Sequence, residues 1–489
     1  MPLILAIDEG TTGVRAMLFD EHSALRGAAY EEIGAAFPRP GWVEQDPLHI
    51  WTATQRVIGD ALRAASAAPR DVAAIGLGVQ RATTVVWERA SGLPLYSAIS
   101  WQDSRTAPRV AELLAQGIFT NTLASATKLE WILRERDAMA RAVAGELCFG
   151  TIDTWLLWQL SGGRVHATDH SNASCTGLYD FLGGGWDPTI IGPMGLPEAV
   201  LPRIVDSSGV IGETDAAVFG AAVPLAGAAG DQQAAMFGQL GVDPGAVKIT
   251  FGTSAMVDVN SGEYPVLSQR GAYPLVLWRI AGQRRYCLEG TVVTAGAAVQ
   301  WLRDGLGIIA SAGECGPLAA SVPDSGGVWA VPAFQGLGTP YMDSAARAVI
   351  GGLSRGTTRA HIVRAVLEGI AFRTAEVYDT LLADAGTERP ACLRIDGGVA
   401  ANDVFLQSLA DILGQPVERP ETVQATALGA AYLAGIGVGV WGGLDDVRGA
   451  WRSGGIFTPR RSADERAARL AAWQRAAAAA QLGAGPLPA

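Results

Sequence analysis

Residues 3–19 read LILAIDEGTTGVRAMLF: an aliphatic run to Ile7, a polar turn over residues 8–13, and a second extended run from Val14 to Phe19. This pattern predicts a β-hairpin with a polar tip. Residues 246–259, AVKITFGTSAMVDV, repeat it, with Gly252, Thr253 and Ser254 at the turn. The two turns lie about half a chain apart, which predicts two domains of similar plan facing each other across a ligand cleft. The turn-rich stretch GVDPG at 241–245 is the natural junction, giving domains of residues 1–242 and 243–489. Strand-like runs at 72–77 and 393–395 alternate with helical stretches such as 403–413, the signature of an α/β protein with layered sheets. The Ala- and Arg-rich residues 462–480 read as a surface-packed C-terminal helix.

Bulk properties narrow the function. A chain of 489 residues, 49% of them hydrophobic, can bury large cores. Its apolar stretches break at Gly, Arg or Asp before reaching the roughly 18 residues of a spanning helix, so no membrane role is expected. The N-terminus enters a strand directly, without a signal-peptide pattern, and cytoplasmic residence is the expectation. A net charge of −11 without a basic run argues against nucleic acid and anionic membranes and for a small-molecule partner. Cys148, Cys175, Cys287, Cys315 and Cys392 are scattered singly and read as free thiols. His22, His49, His166, His170 and His361 show no metal spacing, and Trp155 and Trp158 read as core at helical spacing. Lys128 and Lys248 are the only lysines, and neither lies in a G-x-x-x-x-G-K-[ST] loop, which excludes a P-loop NTPase.

Three segments carry candidate chemistry. In the first hairpin, glycines let the backbone approach a phosphate, Thr11 and Thr12 offer donors, Arg15 reaches toward phosphate, and Asp8 can hold Mg²⁺ through water. The same residues also describe an ordinary Asp-Gly turn. Residues 223–233, VPLAGAAGDQQ, read as a buried strand ending in a carboxylate, followed by a helix through 234–239. Asp231 there can accept a proton from an attacking hydroxyl or merely cap the helix. Residues 392–402, CLRIDGGVAAN, read as strand, glycine turn and helix N-terminus, able to receive a nucleotide with Asn402 hydrogen-bonding it, although packing alone also produces such turns.

Taken in order, IDEGTTGVRA, PRPGWVEQDPLHIW, GVQRATT, AISWQDSRT, TKLEWIL, FGTIDTWLLWQLSGG, AGDQQAAMFGQL, GTVVTAGAAVQWLRD, VPAFQGLGTPYMD and DGGVAAN resemble the glycerol kinase-like members of the FGGY carbohydrate kinase family over nearly the whole chain. The resemblance implies the two-domain actin/hexokinase/Hsp70-type ATPase fold, duplicated ribonuclease H-like domains with a cleft between, and ATP-dependent phosphorylation of a hydroxyl of glycerol or a related polyol or sugar. It implies ATP and Mg²⁺ as cofactors. Thr11, Thr12, Gly13 and Arg15 would contact the phosphates, helped by Thr253, while Gly296, Gln300, Gly398 and Asn402 would line the nucleotide site. Asp231 would be the general base, with Gln232 beside it; Arg81 and Trp101 would form part of the acceptor pocket; Asp8 and Asp231 would serve the metal. Relatives of this kind are usually homodimers or homotetramers, and their domains close to exclude water.

The chain departs from glycerol kinases at the acceptor. Ala82 stands where they carry Glu after the pocket arginine, Leu123 where they carry Tyr, and Met256 where they carry Phe. Each lost hydrogen bond to a buried hydroxyl costs roughly 1–3 kcal/mol of transition-state binding. A longer polyol or a ketose, such as erythritol, xylitol or xylulose, is then the expected alternative acceptor. Glu9 and Gly13 replace a usual Gln and Ser, and residues 219–224 lack the Gly-and-Arg loop by which some bacterial glycerol kinases bind a sugar bisphosphate. A non-catalytic nucleotide switch would not need Arg81, Trp101, Asp231 and Gln232; a catalytically weak ATP sensor is the third reading.

Overall fold

A computed structural model describes residues 2–421, 424–449 and 451–482. The chain packs as two compact units: Met1–Leu240 with Leu275–Arg285 and Ala425–Ala450, and Gly241–Pro274 with Tyr286–Gln424 and Trp451–Ala489.

In the first unit, Leu3–Glu9 and Gly13–Phe19 form the hairpin, in register from Ile4↔Phe19 to Glu9↔Val14, and Leu25–Glu32 adds a third antiparallel strand. On its other side Leu3–Glu9 pairs in parallel with Val72–Val79, which pairs in parallel with Pro224–Gly230. The second unit repeats the plan. Val247–Phe251 and Ala255–Gly262 form its hairpin, Gln283–Val292 extends the antiparallel side, and Leu393–Asp396 and Val417–Pro420 continue it in parallel. Three antiparallel strands joined to two parallel ones thus occur once in each unit, a mixed α/β architecture on duplicated sheets. The parallel strands are buried on both faces, and Ile4, Leu5, Ile75, Leu77, Ile249, Phe251 and Ile395 are essentially inaccessible.

Local sequence sets the helices. Asp46 accepts the Leu48 N–H and Pro47 fills the first helical position of Pro47–Ala64. The helix Ala425–Gly437 is apolar all round because it is covered on all sides: it lies on the first unit's sheet and against the helix Asp231–Gly238. The contact is backbone to backbone. A Cβ on Gly76 would overlap the Ala430 carbonyl, one on Gly238 the Ala425 carbonyl, and one on Gly429 the Ala234 carbonyl. In the second unit, the 27-residue helix Arg359–Ala385 packs beneath the sheet, and Phe372 stacks on Trp473 of the C-terminal helix Ala463–Leu482.

Trp155 packs edge-on and Trp158 tilted against Trp87 in the first unit's core, and the Trp155 indole donates to the Pro47 carbonyl. His166 bonds the Phe149 carbonyl and His170 the Tyr179 hydroxyl. None of the five cysteines is in a disulfide; Cys148, Cys287 and Cys315 are buried and the other two half-buried. Among the described residues no helix is long and apolar enough to cross a membrane.

Candidate active site

The sheet register of the first unit brings three strand ends together. Glu9 pairs with Val79, and Val79 with Gly230, so Gly10, Gln80-Arg81 and Asp231 leave the sheet at the same edge. The carboxyl ends of parallel strands are where open α/β sheets hold ligands.

Asp8, the last residue but one of the first strand, stands opposite Arg15, whose Nη1 lies 3.6 Å from Asp8 Oδ2. Burial pushes the Asp8 carboxyl up to about 6, against the pull of Arg15 and with a further push from Asp231. Burial likewise holds Glu9 well above the usual carboxylate range, opposed by its hydrogen bond from Gln80. The Gly10 N–H closes the turn on the Gly13 carbonyl at 2.9 Å. A Cβ on Gly13 would meet the outer edge of the Tyr30 ring as it now lies, and that ring is 4.8 Å from the Arg15 guanidinium. Gly13 thus leaves the Tyr30 ring its present place beside Arg15.

Asp231 is the first residue of its helix, after Gly230 as N-cap, so it does not occupy the capping position. Its Oδ1 accepts the Gln232 N–H at 2.8 Å and lies 3.3 Å from Arg81 Nε. Gly230 leaves space for Arg81, whose Cγ would stand 2.7 Å from a Cβ there. Its N–H donates to Ser171 Oγ at 2.9 Å, and Ser171 donates to the buried Asp169.

Trp101 joins the hairpin, its indole Nε1 donating to Thr11 Oγ1 at 2.9 Å. Ala82, buried beside Arg81, has φ +58°, a left-handed conformation that disfavours side chains; Ser125 and Thr84 hydroxyls bond its carbonyl. Leu123 is 41% exposed. Lys128 donates to the Trp101 and Leu123 carbonyls at 3.2 and 3.1 Å. Arg105, caged by Trp42 and Trp131 and paired with Glu44 and Asp103, anchors the loop that follows Trp101.

Burial lowers the Lys128 ammonium to about 7 from 10.5, an effect that Asp103 opposes and Arg105 reinforces. Between those values the unfolded chain keeps a proton at Lys128 that the folded chain has released, so raising the pH favours the folded state. From pH 7 to 9 the wild type should gain on Lys128→Met by about 1.4 kcal/mol per pH unit. Thermal unfolding of both chains across that range checks it; a constant gap contradicts a neutral buried lysine.

In the second unit, Thr253, Gly296, Gln300, Gly398 and Asn402 line one cavity of about 640 Å³ together with Val299, Cys315, Pro317 and Val399. Close backbone approach builds it. The Gly252 carbonyl accepts the Gly296 N–H at 2.9 Å, and a Cβ on Gly296 would lie 2.5 Å from that oxygen. Gly397 turns at φ +90°. Asn402 Oδ1 caps the helix Asp403–Leu413 through the Val404 and Phe405 N–H groups, leaving its amide nitrogen for a ligand. Met256 lies on the second hairpin, where Thr291 Oγ1 donates to its sulfur at 3.4 Å.

Sequence reasoning gave no role to Gln45, Gln80, Thr83 or Lys128, although all four fall inside quoted motifs. Among the described residues no group of three or more His, Cys, Asp or Glu could enclose a metal ion. Asp8, with Asp231 near enough to raise it, nevertheless suits Mg²⁺, which binds through one or two carboxylates and takes its other ligands from phosphates and water.

The comparisons with known proteins agree over both units. The FGGY family of carbohydrate kinases, N-terminal domain, matches residues 3–238, and its C-terminal domain matches residues 247–438. The chain is 47% identical to the glycerol kinase of Symbiobacterium thermophilum over 484 residues, covering 97% of each. It is 45% identical to glycerol kinase 2 of Thermotoga maritima, covering 97% of this chain and 98% of that one. Among solved structures, Plasmodium falciparum glycerol kinase with ADP superposes with TM-score 0.91 at 32% identity, covering 98% of both chains. The xylulose kinase of Rhodospirillum rubrum superposes with TM-score 0.82 at 25% identity, again covering 98% of both. With both family domains in order and near-full-length relatives at this identity, the chain belongs to the FGGY family of carbohydrate kinases.

Proposed function

We propose that the protein transfers the γ-phosphoryl group of ATP to a hydroxyl of a small polyol, with Asp231 as the base on that hydroxyl. The observation that carries this reading is the Asp231 carboxylate at the end of a buried strand, held 3.3 Å from Arg81 beside the Asp8–Arg15 hairpin. Arg81 and Gln232 orient the acceptor, and Asp231 receives its proton as the bond to phosphorus forms. Thr11, Thr12, the Gly13 amide and Arg15 donate to the phosphate oxygens, with Thr253 as a further donor. The cavity at Gly296, Gln300, Gly398 and Asn402 takes the nucleoside; its volume and partly apolar wall suit a nucleobase and ribose. Asp8, with Asp231, would hold Mg²⁺, which when bound neutralises charge on the phosphates.

The acceptor we favour is longer than glycerol, a tetritol, pentitol or ketose. Ala82 offers a methyl group, Leu123 an isobutyl and Met256 a thioether, so none of the three supplies a strong hydrogen bond to a hydroxyl. Coupled ADP-release assays over glycerol, erythritol, ribitol, xylitol, xylulose, ribulose, dihydroxyacetone and gluconate test this directly. A longer acceptor should give the highest kcat/KM, and Ala82→Glu should raise kcat/KM for glycerol about 5- to 150-fold. Glycerol leading the wild-type panel, with no gain in the variant, contradicts the acceptor assignment.

A further inference from the structure

We propose that Trp101 is a positioning residue for phosphoryl transfer: its indole N–H orients the Thr11 hydroxyl so that the hydroxyl proton is left to donate to an ATP phosphate. The inference rests on the reading of the 8–13 hairpin as the phosphate site.

An indole N–H can only donate, whereas a threonine hydroxyl carries one proton and two lone pairs and rotates to suit its partners. With Trp101 Nε1 at 2.9 Å, Thr11 Oγ1 must be the acceptor, and its own proton turns away from the ring. Among the described residues the hydroxyl meets no acceptor, and Thr11 is half-exposed at the turn. The proton is therefore available to a ligand.

A second path of hydrogen bonds starts at the same tryptophan and ends at the same threonine. The Trp101 backbone N–H donates to Thr83 Oγ1 at 3.3 Å, and Thr83 donates to Gln80 Oε1 at 2.9 Å. Gln80 Nε2 donates to Gln45 Oε1 at 3.0 Å, and Gln45 Nε2 to the Thr11 carbonyl at 2.9 Å. Both arms run donor to acceptor from Trp101 to Thr11, so they fix the amide orientations and the Thr83 rotor consistently. Gln45, Gln80 and Thr83 are buried, and Lys128 pins the Trp101 carbonyl. Trp101 is thus held at its N–H, its carbonyl and its indole. A residue serving only as an apolar wall would need no such direction at Thr11.

A double-mutant cycle tests this, with Trp101→Phe removing the N–H but keeping a ring, and Thr11→Ala removing the hydroxyl. Affinity for Mg-ATP is read by calorimetry without acceptor, and kcat with the best acceptor. Thr11→Ala should weaken ATP binding about tenfold and Trp101→Phe about fivefold, while the double variant should match Thr11→Ala alone. Thr11→Ser should bind like the wild type and remain sensitive to Trp101→Phe. Single effects that multiply in the double variant overturn the proposal, as does a Trp101→Phe that leaves ATP affinity unchanged and alters only the acceptor KM. Absence of turnover with every acceptor refutes the proposed function, yet the affinity cycle still decides this inference. Absence of ATP binding in the wild type refutes both.

Discussion

Asp231→Asn should lower kcat by about 10²- to 10⁴-fold while leaving the fold intact. The substitution keeps the shape of the side chain. An Asn Oδ1 can still accept the Gln232 N–H now bonded at 2.8 Å, and Gly230 still caps the helix and donates to Ser171. What is lost is the proton acceptor and the negative charge facing Arg81 at 3.3 Å. The same charge contributes to raising Asp8 in the wild type, so the variant also eases that carboxyl toward its ordinary value. Steady-state assays with the best acceptor give kcat, and thermal unfolding gives the control. A variant that unfolds like the wild type and keeps most of its turnover would make Asp231 a structural residue.

The second large effect is on stability. Gly429→Ala should destabilise the first unit by about 1–3 kcal/mol or more, because the added methyl group would overlap the Ala234 carbonyl and stand 2.8 Å from the Gly238 nitrogen. Both obstacles are backbone of the helix that begins with Asp231, so neither yields without moving that helix. Activity should fall along with stability. Gly59→Ala provides the opposite sign for the same chemical change. Gly59 lies inside the helix Pro47–Ala64, and a Cβ there meets only the flexible tip of Arg63 at 3.4 Å, so it should stabilise by about 0.5–1 kcal/mol. Melting curves should move in opposite directions, by about 2–4 °C for each kcal/mol in a domain of this size. Equal shifts in one direction would contradict the close-packed helix crossing.

The elements that carry the candidate chemistry were legible because their signals are local. The hairpin at 3–19, its echo at 246–259 and the helix 403–413 each announce themselves by alternation, glycine turns or periodicity, and observed boundaries lie within two residues of those read from the pattern, except that the second strand of the echo runs three residues further, to Gly262. The segments 275–285 and 425–449 were not legible in the same way. Nothing local in residues 425–437 says that they pack on Gly76, Gly227 and Gly238, far away in sequence; only the unbroken small and apolar character hints at a helix covered on all faces. Gln45, Gln80 and Thr83 are polar residues near strand ends whose partners exist only after three loops converge. Gly13 was readable as a departure, but the ring that lies beside it, Tyr30, comes from the adjacent strand.

The measurement that bears most directly on the central claim is product analysis by mass spectrometry after incubating the enzyme, ATP and Mg²⁺ with each acceptor of the panel, alongside ADP quantified in the same samples. One acceptor phosphate ester should form for every ADP, with little ADP when no acceptor is present. ADP accompanied only by inorganic phosphate, or no ADP with any polyol or ketose while ATP still binds, would contradict it.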